Sequence, residues 1–72
     1  PERLIVALET PAPAMATLSV TSVLDGTCVI SCPIAAGAEN VSLDTSRLSR
    51  GVYVVSYSVN SELIDQKKVR LD

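Results

Sequence analysis

The chain contains no histidine, tryptophan or phenylalanine, and its only aromatics are two tyrosines. Without an imidazole, the common serine and cysteine hydrolase triads lack their general base. The usual zinc sets fail for the same reason. Cys28 and Cys32 would need carboxylates to complete a site, and two cysteines alone make a poor one. The three glycines, Gly26, Gly37 and Gly51, lie far apart, so no glycine-rich phosphate loop exists. No apolar run approaches the roughly 20 residues that span a bilayer. No basic stretch precedes a long apolar one, as a signal peptide requires. A nucleic-acid binder presents a basic face with aromatics for stacking, whereas this chain has two tyrosines and a net charge of −2. No cofactor, metal, nucleic acid or membrane span is expected.

What is present is apolar and β-forming. The 72 residues are 47% hydrophobic and 19% charged, the composition of a folded domain and not of a disordered tail. Two domains would each fall below the size at which a core suffices. One domain of this size buries only roughly 60% of its unfolded surface. A disulfide, a neighbouring domain or a very regular sheet is therefore expected to support it. A first residue of proline, not methionine, predicts a piece excised from a longer protein. Charge is uneven: Glu2, Glu9, Asp25, Glu39 and Asp44 face only Arg3 in the first part. Arg47, Arg50, Lys67, Lys68 and Arg70 dominate the last.

Val, Thr, Ser and Ile favour the pleated, half-buried surface of a sheet. Arg3 to Glu9 alternates with Leu4, Val6 and Leu8 on one face and predicts a first strand. Thr10-Pro11-Ala12-Pro13-Ala14 cannot donate a full ladder and reads as an extended connector or a crossing between sheets. Ala16 to Leu24 predicts a second strand with Leu18 and Val20 inward. Asp25-Gly26 is a hairpin turn whose residues both tolerate positive φ, and Thr27 to Ile34 returns. Alternation puts Cys28, Ile30, Cys32 and Ile34 on one face. Ala35 to Asn40 is a loop, Val41 to Leu43 a short strand, and Asp44 to Arg50 a loop around Leu48. Gly51 opens the strongest strand, Val52 to Val59, with Tyr53, Val55, Tyr57 and Val59 inward. Asn60-Ser61 is a two-residue turn into the last strand, Leu63 to Leu71. The expected core is Leu18, Val20, Ile30, Leu43, Leu48, Val55 and Val69. Six or seven short strands with turns every eight to twelve residues predict a small immunoglobulin-like antiparallel β-sandwich.

On one strand face, Cys28 and Cys32 would lie roughly 13 Å apart at ~3.3 Å per residue, beyond the reach of a disulfide. They read as buried reduced thiols, with a disulfide after a bend at Ser31 or Pro33, or a reactive thiol, left open. Asp25, Asp44, Glu62 and Asp65 fall at turns and strand ends, where carboxylates bond local backbone. A sandwich this small leaves little room for the cleft that acid–base chemistry needs, and nothing in the spacing supports a Ser–Lys pair with Lys67 or Lys68. The chain is not expected to be an enzyme.

Leu48-x-x-Gly51-x-Tyr53 is the most informative stretch. A tyrosine just inside a strand of a Greek-key sandwich can donate its hydroxyl to backbone a few residues upstream. Leu48 would plug the core under the loop, and Gly51 would turn the chain into the strand. The run from Val41 to Val55, with Leu48, Gly51, Tyr53 and Val55 at its centre, resembles the core motif of the C-terminal domains of the Bacteroidetes type IX secretion system. Lys67-Lys68-Val69-Arg70-Leu71-Asp72 is similar to that family's lysine-rich ending, and Asp25-Gly26 falls near its mid-domain turn. The resemblance covers residues 16–72. It departs at Val23-Leu24-Asp25-Gly26-Thr27, which lacks the family's aromatic and Gly-Arg, and at Asn60-Ser61, where a glycine is usual.

The resemblance implies a sandwich of about seven strands and a secretion and sorting signal. Its partners would be the type IX outer-membrane translocon and attachment proteins, with an upstream cargo domain in the same chain. Residues 1–72 would then form the C-terminal domain of a larger secreted protein, in the periplasm on its way to the outer-membrane surface or beyond. The alternative is a secreted immunoglobulin-like accessory module that binds a protein or glycan or supports a neighbouring domain. Within the sorting reading, the last strand is the expected partner-facing element, with Lys67, Lys68, Val69 and Arg70 as recognition residues. The bland reading is that its lysines only guard an edge.

Overall fold

The computed structural model describes residues 3–8, 10–13 and 15–72. Six strands form: β1 Arg3–Ala7, β2 Ala16–Ser22, β3 Cys28–Ile34, β4 Asn40–Asp44, β5 Gly51–Val59 and β6 Glu62–Leu71. No helix occurs among the described residues. β1 and β4 make a two-stranded antiparallel sheet. The other four pair antiparallel in the order β3-β2-β5-β6. The expected all-β sandwich is present.

The inner faces follow the predicted alternation over most of their length. Leu18 and Val20 of β2 are buried, as are Tyr53 and Val55 of β5 and Leu43 of β4. Leu4, Val6 and Leu8 pack on this core from the small sheet. Ile30, Leu48 and Val69, expected as core, are only half-buried, because Ile30 and Val69 lie on the edge strands β3 and β6 and Leu48 on the 45–50 loop. Ala12 is buried instead. Its N–H donates to Ala38 at 3.0 Å and its carbonyl accepts from Gly37 at 2.8 Å, so the proline connector runs on beside the 35–39 loop. Glu9, the expected end of the first strand, and Ala14 of the connector lie outside the described residues.

Three expectations need correction. β2 ends at Ser22 and not at Leu24. The connection is a four-residue loop, 23–26, closed by Ser22 N–H to the Thr27 carbonyl at 2.8 Å and Gly26 N–H to the Ser22 carbonyl at 2.9 Å. Gly26 alone takes positive φ there, at 74°, so the turn is not the expected two-residue type.

Cys28 is exposed and not buried. The β2–β3 register runs Val20↔Ile30 and then Thr21↔Cys28, leaving Val29 as an extra residue. One inserted residue flips every side chain beyond it to the opposite face. Cys28 therefore shares the outer face with Thr21, while Cys32 stays inside, half-buried beside Leu18. Both are free thiols.

Finally, β6 lacks a continuous inward apolar set. Its register with β5 jumps from Ser58↔Leu63 to Tyr57↔Asp65, so Ile64 is a bulge. Leu63 and Ile64 are both exposed, and only Val69 and Leu71 reach the core. The Asn60-Ser61 turn is as expected. Its residues have φ of 52° and 68°, the left-handed pair that a two-residue hairpin turn requires.

Candidate functional site

The segment that leads into β5 is tied down from several sides. Asp44 accepts the Ser46 N–H on Oδ1 at 3.0 Å, and Leu48 N–H donates to the Thr45 carbonyl at 3.0 Å. Tyr53, with its ring 5% exposed, donates its hydroxyl to the Ser49 carbonyl at 2.7 Å. This is the tyrosine device that the sequence predicts, spanning four residues. Gly51 has φ of 152°, a conformation that L side chains rarely adopt, and an added Cβ would meet nothing within 4 Å. Its role is conformational and not one of space. Val55 continues the buried face, opposite Lys67 on β6.

β6 is an edge strand with β5 as its neighbour on one side. Its other side carries backbone groups with no strand to pair with. The register divides the expected recognition residues between two faces. Lys67 and Val69 lie opposite Val55 and Tyr53, on the inner face; Lys68 and Arg70 lie opposite Val54 and Val52, on the outer face. Val69 is half-buried, so its side chain serves the core, while the three basic side chains are exposed. Arg70 Nε meets Asp72 Oδ1 at 3.2 Å with both side chains about four-fifths exposed. Such a pair holds little energy, and the arginine is free to exchange partners.

Lys67 and Asp65 border an inter-sheet groove of about 290 Å³, lined on its apolar side by Val6, Leu8, Val55 and Tyr57. Cross-strand alignment of Thr17, Ser19 and Thr21 with Ser58, Ser56 and Val54 makes the outer face beside Lys68 largely hydroxylic.

Two carboxyls depart from their ordinary range. The Thr27 backbone N–H lowers the pKa of Asp25 below 3.8, and the Ser46 backbone N–H does the same for Asp44, with smaller help from Arg3 and Arg47. Both are exposed turn residues that favour the charged form. The other described acids, Glu39, Glu62, Asp65 and Asp72, are exposed as well. Among the described residues, nothing encloses a carboxyl as a general acid would require.

One surface was not anticipated. Leu24 at the 23–26 loop is 94% exposed and Val23 beside it is half exposed. The signal was two apolar residues directly ahead of the Asp-Gly turn, which alternation alone reads as the end of a strand.

The family of secretion system C-terminal sorting domains matches residues 1–70. The chain belongs to that family. It is a type IX secretion sorting domain, so the expectation drawn from the run Val41 to Val55 holds. No curated protein matches the chain at a significant level. A sorting domain implies interaction with type IX machinery, an upstream cargo, and export toward the outer membrane or the extracellular space. The family is one of signals and not of enzymes. Among the described residues, no helix is long and apolar enough to cross a membrane.

Proposed function

We propose that the sorting signal is read at β6 by a protein of the secretion machinery that adds a strand to its free edge. Lys67, Lys68 and Arg70 steer that partner through an acidic surface, and Val69 contributes its backbone. The observation that supports this reading is the position of β6: the last strand closes the sheet with one neighbour and exposes all three basic side chains. In this reading residues 1–72 are a single domain at the C-terminal end of a larger secreted protein. It passes through the periplasm and is handed from the translocon to the attachment proteins. The domain itself has no catalytic role.

Truncation is a poor test, because deleting Lys67 to Asp72 removes buried Leu71 and half-buried Val69. Charge reversal is cleaner. The parent protein carrying Lys67→Glu, Lys68→Glu and Arg70→Glu is expressed in its native host, and its fold is checked by circular dichroism. Glutamates guard an edge as well as lysines do, so a merely protective role leaves export unchanged. The steering role predicts cargo retained in the periplasm. Normal surface amounts of cargo would refute the reading.

A further inference from the structure

At the end of the sandwich opposite the Asn60–Ser61 turn, the 23–26 loop and the 45–50 segment enclose a cleft of about 440 Å³. Leu24, Val29 and Val52 supply its apolar surface, and all three are exposed. Arg47 and Arg50 stand on the facing wall. Neither makes an ion pair among the described residues, where the pair formed is Arg70–Asp72. Asp25 also lines the cleft and stays charged, its Oδ1 accepting the Thr27 N–H at 3.0 Å, so the lining carries two positive charges against one negative.

Both walls are preorganised. Ser22 and Thr27 clamp the first loop, and Val23 N–H ties it to the Val52 carbonyl at 3.1 Å. The second wall is held by the Asp44–Ser46 bond and by the Tyr53 hydroxyl on Ser49. A site with rigid walls forfeits little conformational entropy on binding. Exposed aliphatic side chains are grouped here beside two guanidinium groups that form no close ion pair, Arg47 acting on Asp44 only from a distance, and such a combination favours an interaction surface.

We propose that this cleft binds an extended acidic segment of a partner protein. An aliphatic side chain of that segment seats against Leu24, Val29 and Val52, and its carboxylates meet Arg47 and Arg50. A bilayer is the other anionic, apolar surface, but it presents a plane, whereas these arginines border a concavity between two loops that a chain can enter. The cleft adjoins the end of β6, where Arg70 lies opposite Val52, but its lining contains no residue of β6, so the inference rests on Leu24, Arg47 and Arg50 and not on the β6 signal.

The test uses the isotope-labelled 72-residue chain and a blocked hexapeptide, Asp-Leu-Glu-Asp-Leu-Glu, followed by amide chemical shifts. Saturable shifts confined to residues 22–29 and 45–53 are expected, weakening as salt rises. Arg47→Glu with Arg50→Glu, and separately Leu24→Ser, should each weaken binding about tenfold or more. All three positions are exposed, so the fold should survive, and circular dichroism checks it. Lys67→Glu with Lys68→Glu should leave the affinity unchanged. The inference is overturned by no shifts, by shifts centred on β6, or by equal binding of the Lys-Leu-Lys-Lys-Leu-Lys peptide. Binding to phosphatidylglycerol vesicles in place of the peptide overturns it too.

Discussion

Tyr53 and Tyr57 offer a matched comparison on one strand and one face. Replacing Tyr53 by Phe keeps the buried ring and removes the hydroxyl that donates to Ser49 at 2.7 Å. A typical intramolecular hydrogen bond contributes a net ~0.5–1.5 kcal/mol. The upper penalty, for an acceptor stranded in the core, does not apply in full, because Ser49 is an exposed residue and its bond to Tyr53 is only part-buried. The expected loss for Tyr53→Phe is therefore about 1 kcal/mol. Tyr57 is half-buried, and its hydroxyl makes no hydrogen bond among the described residues. Tyr57→Phe should stay within about 0.5 kcal/mol of the parent. Urea titration reads both: the midpoint should fall for Tyr53→Phe with an unchanged slope, since the exposed area on unfolding is the same. In a domain of this size the melting temperature should drop by roughly 4–8 °C. Equal effects from the two substitutions would refute the claim that the hydroxyl bond anchors the 45–50 segment.

Three further outcomes follow from the same geometry. Leu48→Ala should cost about 1–2 kcal/mol, less than the ~2–5 kcal/mol of Leu18→Ala, because Leu48 is half-buried and Leu18 is 1% exposed; denaturant titration of both separates rim from core, and equal losses would contradict the burial difference. Both cysteines should label with an alkylating reagent in unreduced, denatured protein, and Cys28 should label faster than Cys32 in the native state; a mass showing no label on either would mean a disulfide. The lowered pKa values of Asp25 and Asp44 mean that their contribution is fully present above the ordinary carboxyl value of 3.8 and disappears as pH falls through the folded values. Stability should therefore be flat from neutrality to about pH 5 and decline below pH 4; the combined Asp25→Asn and Asp44→Asn variant should show a shallower acid slope, and an unchanged slope would remove these turns as the cause.

Period-2 alternation carried most of the fold, since every strand core was legible in it. Leu18 and Val20 on β2 and Tyr53 and Val55 on β5 were placed inward because a half-buried strand has no other way to hide them. Two of the misplacements, in β3 and β6, share one physical cause. A bulge leaves no composition signature, and the extra residues Val29 and Ile64 each reset the parity of what lies beyond them. Cys28 lies on the outer face for that reason, and Leu63 stands opposite Ser58 and not Tyr57 for the same one. The burial of Leu48 and Val69 depends on where a loop folds and which strand lies at an edge, which is a tertiary property. Of the recognition residues, the edge position of β6 was readable from its place at the end of the chain. The division of Lys67 from Lys68 between faces follows from strand alternation itself, whereas the cleft at Leu24, Arg47 and Arg50 needs the two loops brought together.

The strand order also sets the timetable of folding. The β2–β3 and β5–β6 hairpins close over loops of a few residues, an event of roughly 1–10 μs. Their union through β2 and β5 joins Ser22 to Tyr53 at its nearest point, roughly 30 positions along the chain, and the small sheet spans a similar interval from Ala7 to Asn40. Three doublings of loop length add about 2 kcal/mol of closure entropy. The rate-limiting encounter is thus the meeting of two preformed hairpins, and the domain should fold in milliseconds to seconds. Stopped-flow refolding tests this: substitutions in the Asn60-Ser61 turn should slow refolding with little effect on unfolding, because the hairpin is already closed at the rate-limiting step, and Val20→Ala and Val55→Ala, at the seam, should slow refolding and speed unfolding together. A turn substitution that left refolding unchanged and only sped unfolding would reverse the order of events.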